Sequence, residues 1–243
     1  MGDLLDASTL PPALEHMDMV ISLAGAPQRF VGVGGGRRTF AHVDDGGNRT
    51  LLAGAAKANV NRFAYVANYG GRFMGMSEIL RAQESFIAAL RSTSMRILVV
   101  RAAPVFASYE PLLRRARKRR VRVIGDGWSE INPIHEDDLA TAIVDALEEN
   151  ESELDVGGPD VLTHREIAEL ALAVWDREAK VHGLPRVLVN YWAQLARFRG
   201  GHNKAVSALQ TAVAFTDVVA PSFGEQRLHA YFADRVAGWS NEG

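Results

Sequence analysis

Leu51, Leu52, Ala55 and Ala56 recur at helical spacing between Val43 and Asn59, which predicts one apolar helix face packed on a sheet. Asn59 lies just past that face and suits a helix end. Phe63 to Ala67 follows as a short, mostly apolar run without alternation, the pattern of a strand buried on both faces of a parallel sheet. Met19 to Ala26 predicts a second buried strand, ending in small residues that let a ligand approach the backbone. Ile97 to Val100 predicts a third, closed by Arg101-Ala102-Ala103-Pro104. Between the last two strands, Ile79, Leu80, Phe86, Ile87 and Leu90 mark a helix over 77–90. This alternation argues an α/β fold with a parallel sheet. The three strands are expected side by side in chain order, with the Met19 strand at an open edge available to another chain.

Elsewhere, Asp6 or Ser8 is expected to cap a short helix over Pro11 to His16. A helix is expected over Leu112 to Arg120, then a strand over Val121 to Ile124 with a Gly125-Asp126-Gly127 turn. Asp137 starts a helix that runs to about Glu148. Thr163 and Glu166 form a capping box before an apolar run. From Pro185 the chain reads as mostly helical, broken once at Pro221-Ser222-Phe223-Gly224. The expected division is a core over 1–160 with a small helical lobe over 161–243 packed on it.

Composition narrows the chemistry. With 243 residues, 47% of them hydrophobic, the chain has enough apolar material for one large domain, or a domain with a small lobe. The net charge of −2 gives no global field favouring nucleic acid or an anionic membrane. There is no cysteine, which rules out disulfides, thiolate metal sites and cysteine nucleophiles. No apolar run reaches the length of a membrane span, and no signal peptide is read, so a cytoplasmic location is expected. The cations Arg114, Arg115, Arg117, Lys118, Arg119 and Arg120 suit a solvated helix end, with an anion or phosphate contact as the second reading; no aromatic residue is interleaved with them, which argues against a nucleic-acid surface. Gly32 to Gly36 reads as a loop, since no helix follows it directly as a phosphate loop requires. His135 reads as a structural histidine where strand meets helix, and Asp137 and Asp138 as capping residues rather than a catalytic pair.

Taken together, these segments resemble the atypical short-chain dehydrogenase/reductases, NAD(P)-binding proteins of Rossmann fold. Val43 to Leu52 is similar to their Val-Asp-x-x-Gly-Asn-x-x-Leu-Leu helix, which leads into a Phe-x-Tyr-Val-Ser strand matched here by Phe63 to Ala67. Met19 to Ala26 is similar to their fourth strand, and Gly2 to Asp6 to the segment bordering the adenine. INPIHEDDLA, Ile131 to Ala140, looks like their His-x-x-Asp-Leu-Ala motif. Asp155 to Glu169 and Asp217 to Phe232 resemble one subgroup of oxidoreductase-like members. The resemblance covers nearly the whole chain and implies a Rossmann-like sheet with NAD or NADP as cofactor. It places dinucleotide contacts at Asp3, Leu4, Leu23, Ala24, Gly25, Val66, Ala67, Gln83 and Pro104.

The departures are equally specific. The family's first strand, its Gly-x-x-Gly-x-x-Gly turn, first helix and second strand have no counterpart here, so an amino-truncated domain is expected. The family's strand-end Ser falls at Ala67, and the Tyr and Lys of its Tyr-x-x-x-Lys pair fall at Ile79 and Gln83. Ile carries no proton and Gln no charge, so the general acid and its supporting cation are both absent. Loss of several charge-assisted bonds to a pyrophosphate lowers affinity by on the order of a thousand-fold. Two readings follow: an oxidoreductase homologue of impaired activity toward a small-molecule substrate, or a non-catalytic protein that binds a partner or a second copy at its open sheet edge. A dinucleotide-binding accessory subunit of respiratory complex I is a family-level analogy for the second.

Overall fold

A computed structural model describes residues 2–26, 39–70, 77–119, 121–175, 180–185, 187–188, 191 and 201–241. The Gly32 to Gly36 tract and Arg120 lie outside them. The chain divides into two units: Met1–Arg101 with Ala146–Leu154 and Ala193–Gln210, and Ala102–Asp145 with Asp155–Trp192 and Thr211–Gly243.

The main sheet is parallel and has the order β1 (Met19–Ser22), β2 (Arg62–Asn68), β3 (Arg96–Ala102) and β6 (Glu153–Val156). β1 and β2 pair in register from Met19–Arg62 to Ser22–Tyr65. The three strands expected from their apolar runs are therefore neighbours in chain order. A four-residue helix, α1 (Pro11–Leu14), precedes β1; Asp6 caps not this helix but a tight turn over Ala7–Thr9. α2 (Asn48–Lys57) and α3 (Glu78–Arg91) bury Leu52, Ala55, Phe86, Ile87 and Leu90 against Phe63 and Tyr65 of β2. The Tyr65 and Phe86 rings meet edge to face at 4.7 Å, a favoured aromatic geometry. α2 ends where Asn59 takes a left-handed φ of 58°, a conformation Asn tolerates.

Two expectations change in this unit. β1 is not buried on both faces: Met19, Ile21 and Leu23 alternate along it and are 37%, 42% and 67% exposed. Its position at the end of the sheet, among the described residues, leaves that face uncovered. The helix before β2 also begins slightly ahead of Val43, as a π-helical segment over Ala41–Gly47 that runs straight into α2. A third feature has no signature in the apolar pattern. Arg101 sits inside β3 at 1% exposure, bonded to Glu84 at 3.2 Å and Glu153 at 2.8 Å, with Arg91 on the same Glu153. A buried guanidinium persists only when paired in this way.

In the second unit, β4 (Arg122–Ile124) pairs parallel with β8 (His182–Leu184), and β5 (Glu130–Ile131) antiparallel with β7 (Leu162–Thr163). Its helices include α4 (Glu110–Ala116), α6 (His164–Ala173) and α8 (Leu228–Asn241), while α5 (Glu136–Glu148) and α7 (Gly201–Ala214) run across the division. The capping box forms as read, with Glu166 N donating to Thr163 Oγ1 and Thr163 N to the Glu166 carboxylate. α4 is shorter than its cationic run. It stops at Ala116, and Arg117, Lys118 and Arg119 form a turn in which Arg119 has φ 52°. Asn132 is fully buried and ties two loops together, donating to Gly158 O and Ala220 O and accepting from Ala220 N.

Candidate functional site

The C-terminal ends of β1 and β2 meet in a closed polar network. Asp44 lies in the π-helical segment and Asn48 four residues on, so both share its inward face. Ser22 Oγ donates to Asn48 Oδ1 at 2.6 Å, and Asn48 Nδ2 donates to Ala24 O and Asp44 O at 3.0 Å each. Asp44 accepts from Ala26 N at 2.8 Å and from Gln83 Nε2 at 3.2 Å. Gln83 Oε1 accepts both Asn68 N and Asn68 Nδ2 at 3.1 Å. Ser22, Asp44, Asn48 and Gln83 are all nearly inaccessible, so the network is a buried one whose members satisfy one another.

This arrangement gathers some of the expected ligand residues and leaves others apart. Ala24, Gly25, Ala67 and Gln83 surround or join the network; Leu23 projects from the end of β1 and Val66 is half-buried on β2. Asp3 is exposed and organises the N-terminal turn, its carboxylate accepting Leu5 N and its own amide donating to Thr9 Oγ1. Leu4 packs on Gly47, where an added Cβ would stand 3.3 Å from the Leu4 Cβ. Pro104 belongs to the second unit. Ser22, Asp44, Asn48 and Asn68 were not singled out from the sequence. Asp44 and Asn48 are nevertheless the polar letters of the Val-Asp-x-x-Gly-Asn motif.

The positions of the family's catalytic set carry no acid. Ile79 is fully buried, Ala67 is 5% exposed, and both ends of the Gln83 amide are engaged. Tyr65, the nearest buried phenol, is wholly inaccessible and its hydroxyl has no hydrogen-bond partner. Burial raises its pKa far above the ordinary value, with Asp44, Asp45 and Glu84 adding to the effect. It is a packing residue, as its strand position implies.

Leu23 and Val66 offer an apolar wall. An added Cβ at Gly25 would meet Asp44 Oδ1 at 3.1 Å, so the Asp44 carboxylate stands beside this glycine and holds the Ala26 amide.

A second cluster lies within the other unit. His135 Nδ1 accepts from Asp137 N at 3.1 Å, and its ring meets Phe106 and Tyr231 edge-on at 5.5 and 5.8 Å. Tyr231 donates to Glu110 at 3.1 Å, and Arg235 pairs with the same carboxylate. Burial, with the Glu110 bond and charge, pushes the Tyr231 phenol up to about 12. Asp138 accepts from Gln226 N at 3.0 Å, which makes it a loop anchor. Among the described residues no group of three or more His, Asp or Glu is placed to hold a metal, and no helix is long and apolar enough to cross a membrane.

A parallel sheet flanked by helices, in the order β1-β2-β3-β6, defines a Rossmann-like domain. No protein-family model matches the chain. It is similar to the mitochondrial NADH-ubiquinone oxidoreductase 40 kDa subunit of Neurospora crassa, 24% identical over 180 residues, which cover 72% of this chain and 46% of that protein. It is similar also to the mitochondrial NADH dehydrogenase [ubiquinone] 1 alpha subcomplex subunit 9 of Arabidopsis thaliana, 23% identical over 194 residues, 74% of this chain and 46% of that protein. The chain thus spans about half the length of the curated relatives it matches. Among solved structures, human epimerase family protein SDR39U1 with NADPH has a TM-score of 0.69 at 18% identity, covering 94% of this chain and 85% of that one. The resemblance to the atypical short-chain dehydrogenase/reductases read from the motifs agrees with these similarities, and the fold it implied is the one found. The cytoplasmic location expected from the sequence is overturned, because both curated relatives are mitochondrial proteins.

Proposed function

We propose that this chain is a non-catalytic accessory member of the NAD(P)-binding oxidoreductase family, which uses the Rossmann scaffold to bind a protein partner. The observation that carries this reading is the state of Gln83. It stands where the family has its lysine, is nearly inaccessible, and spends both ends of its amide on Asp44 and Asn68. With Ile79 and Ala67 at the companion positions, nothing there delivers a proton to a reduced carbonyl. Two further facts support a partner. The curated relatives are named as subunits of a larger enzyme. The edge strand β1 also leaves Met19, Ile21 and Leu23 exposed, a surface that suits a second copy or another chain.

NAD or NADP remains the cofactor class by resemblance, with weak or absent binding expected of this chain. Titration of the purified chain with NADPH and with NADH by calorimetry, beside a carbonyl-reduction assay, tests the proposal. The expected result is no saturable heat at micromolar nucleotide and no turnover. A low-micromolar dissociation constant with measurable reduction of any small carbonyl substrate would overturn it.

A further inference from the structure

The cationic run after residue 113 lacks aromatic neighbours in the sequence, yet the fold supplies them. Trp175, just past the end of α6, and Trp239 of α8 stack on each other with centroids 6.3 Å apart and planes 22° from parallel. The Arg114 guanidinium lies 4.2 Å over the Trp239 ring and that of Arg117 5.5 Å over Trp175. Trp175 Nε1 donates to Leu113 O at 3.0 Å, which fastens the aromatic pair to α4 itself. Arg114, Arg115, Arg117, Lys118 and Arg119 are all exposed. Among the described residues, Glu110 lies 3.9 Å from Arg114 and is already paired with Arg235 and Tyr231. The result is an outward-facing cationic surface in which two guanidiniums are held in place rather than waving free.

We propose that this surface, Arg114 to Arg119 mounted on the Trp175–Trp239 pair, is a docking site for a carboxylate-rich surface of a partner protein. Three points favour that partner. A guanidinium resting on a ring loses little freedom when it binds, and its planar fork matches a carboxylate in two parallel hydrogen bonds. Trp and Arg are the residues that dominate protein–protein binding energy. The tryptophans already stack on each other and carry arginines, so they are not open platforms for nucleic-acid bases, which is what single-strand binding uses. The site lies apart from Gln83 and the strand-end network in sequence and in unit, so it stands whether or not the chain binds a dinucleotide.

The test uses the full 243-residue chain and fluorescein-labelled poly-L-glutamate, read by anisotropy at low salt. The wild type is expected to bind, and added salt to weaken it. Arg114→Glu with Arg117→Glu is expected to weaken binding by at least roughly tenfold, in line with loss of interfacial charge pairs. Trp239→Leu removes no charge, and is expected to weaken binding severalfold by freeing Arg114; mere charge attraction would not respond to it. Lys57→Glu, an exposed reversal on α2, should leave binding unchanged. Thermal unfolding of each variant separates misfolding from lost contacts. Equal binding by the wild type and the double arginine variant would overturn the proposal. So would an unchanged affinity in folded Trp239→Leu, or tighter binding of oligo(dT) or phosphatidylserine vesicles than of poly-L-glutamate.

Discussion

Asn48 is the residue on which the strand ends depend. Its amide donates to the carbonyls of Ala24, Val43 and Asp44 and accepts the Ser22 hydroxyl, and Asn48 itself is fully buried. Asn48→Ala leaves these groups without partners, and an orphaned buried polar group costs about 1–3 kcal/mol. The expected outcome is a loss of about 2–4 kcal/mol in urea unfolding, with several groups orphaned at once and partial relaxation between them. Gln83→Lys probes the neighbouring position differently. An ammonium can donate to Asp44 but accepts nothing from Asn68, so a smaller loss of about 1–3 kcal/mol is expected, with no gain in NADPH binding by calorimetry. The sequence motif identified positions 67, 79 and 83 and their missing chemistry. It said nothing of what Gln83 does instead, because its partners lie 15 and 39 residues away.

Elements whose limits are set by their own residues were legible in advance. The Thr163–Glu166 capping box is such a case, since both bonds close within four residues. Thr163→Ala should cost about 1 kcal/mol, read as a shift in the denaturation midpoint without a change in slope. The strands β5 and β7 are two residues each and carry too little pattern to be read. β1 illustrates a different failure. Met19-Val20-Ile21 reads as apolar throughout, and apolar residues at a sheet edge look the same in sequence as those in the middle. Its exposure follows from its neighbours, not its letters.

For the molecule as a whole, two titrating groups contribute to the pH dependence of stability in separate ranges. Burial draws the His164 pKa below the ordinary histidine value of 6.5, more than its bond to Val213 O raises it. Below pH 6.5 the unfolded chain binds a proton here that the folded chain does not, so stability falls as pH drops through that region. For Glu153, burial raises the pKa but the bonds from Arg91 and Arg101 win, leaving it below 4.5. Its contribution is complete above pH 4.5 and is lost as pH falls through the depressed folded value. Urea midpoints measured from pH 8 to pH 4 should therefore decline in two stages, and His164→Gln should flatten the first alone.

The α/β class, the parallel neighbours β1, β2 and β3, the α3 core face and the family resemblance all rest on short-range periodicity and local motifs, which are properties of consecutive residues. What required the folded chain were the meetings between distant polar and aromatic groups: Asp44 with Gln83, Arg101 with Glu84 and Glu153, and Trp175 and Trp239 with the α4 arginines. The absence of interleaved aromatics had argued against a nucleic-acid surface at these cations, and the folded chain brings Trp239 and Trp175 against Arg114 and Arg117. Hydrophobic spacing specifies which face of an element turns inward. It does not specify which side chains of other elements arrive there, because that depends on how the elements pack, and the chemistry of this protein lies in those arrivals.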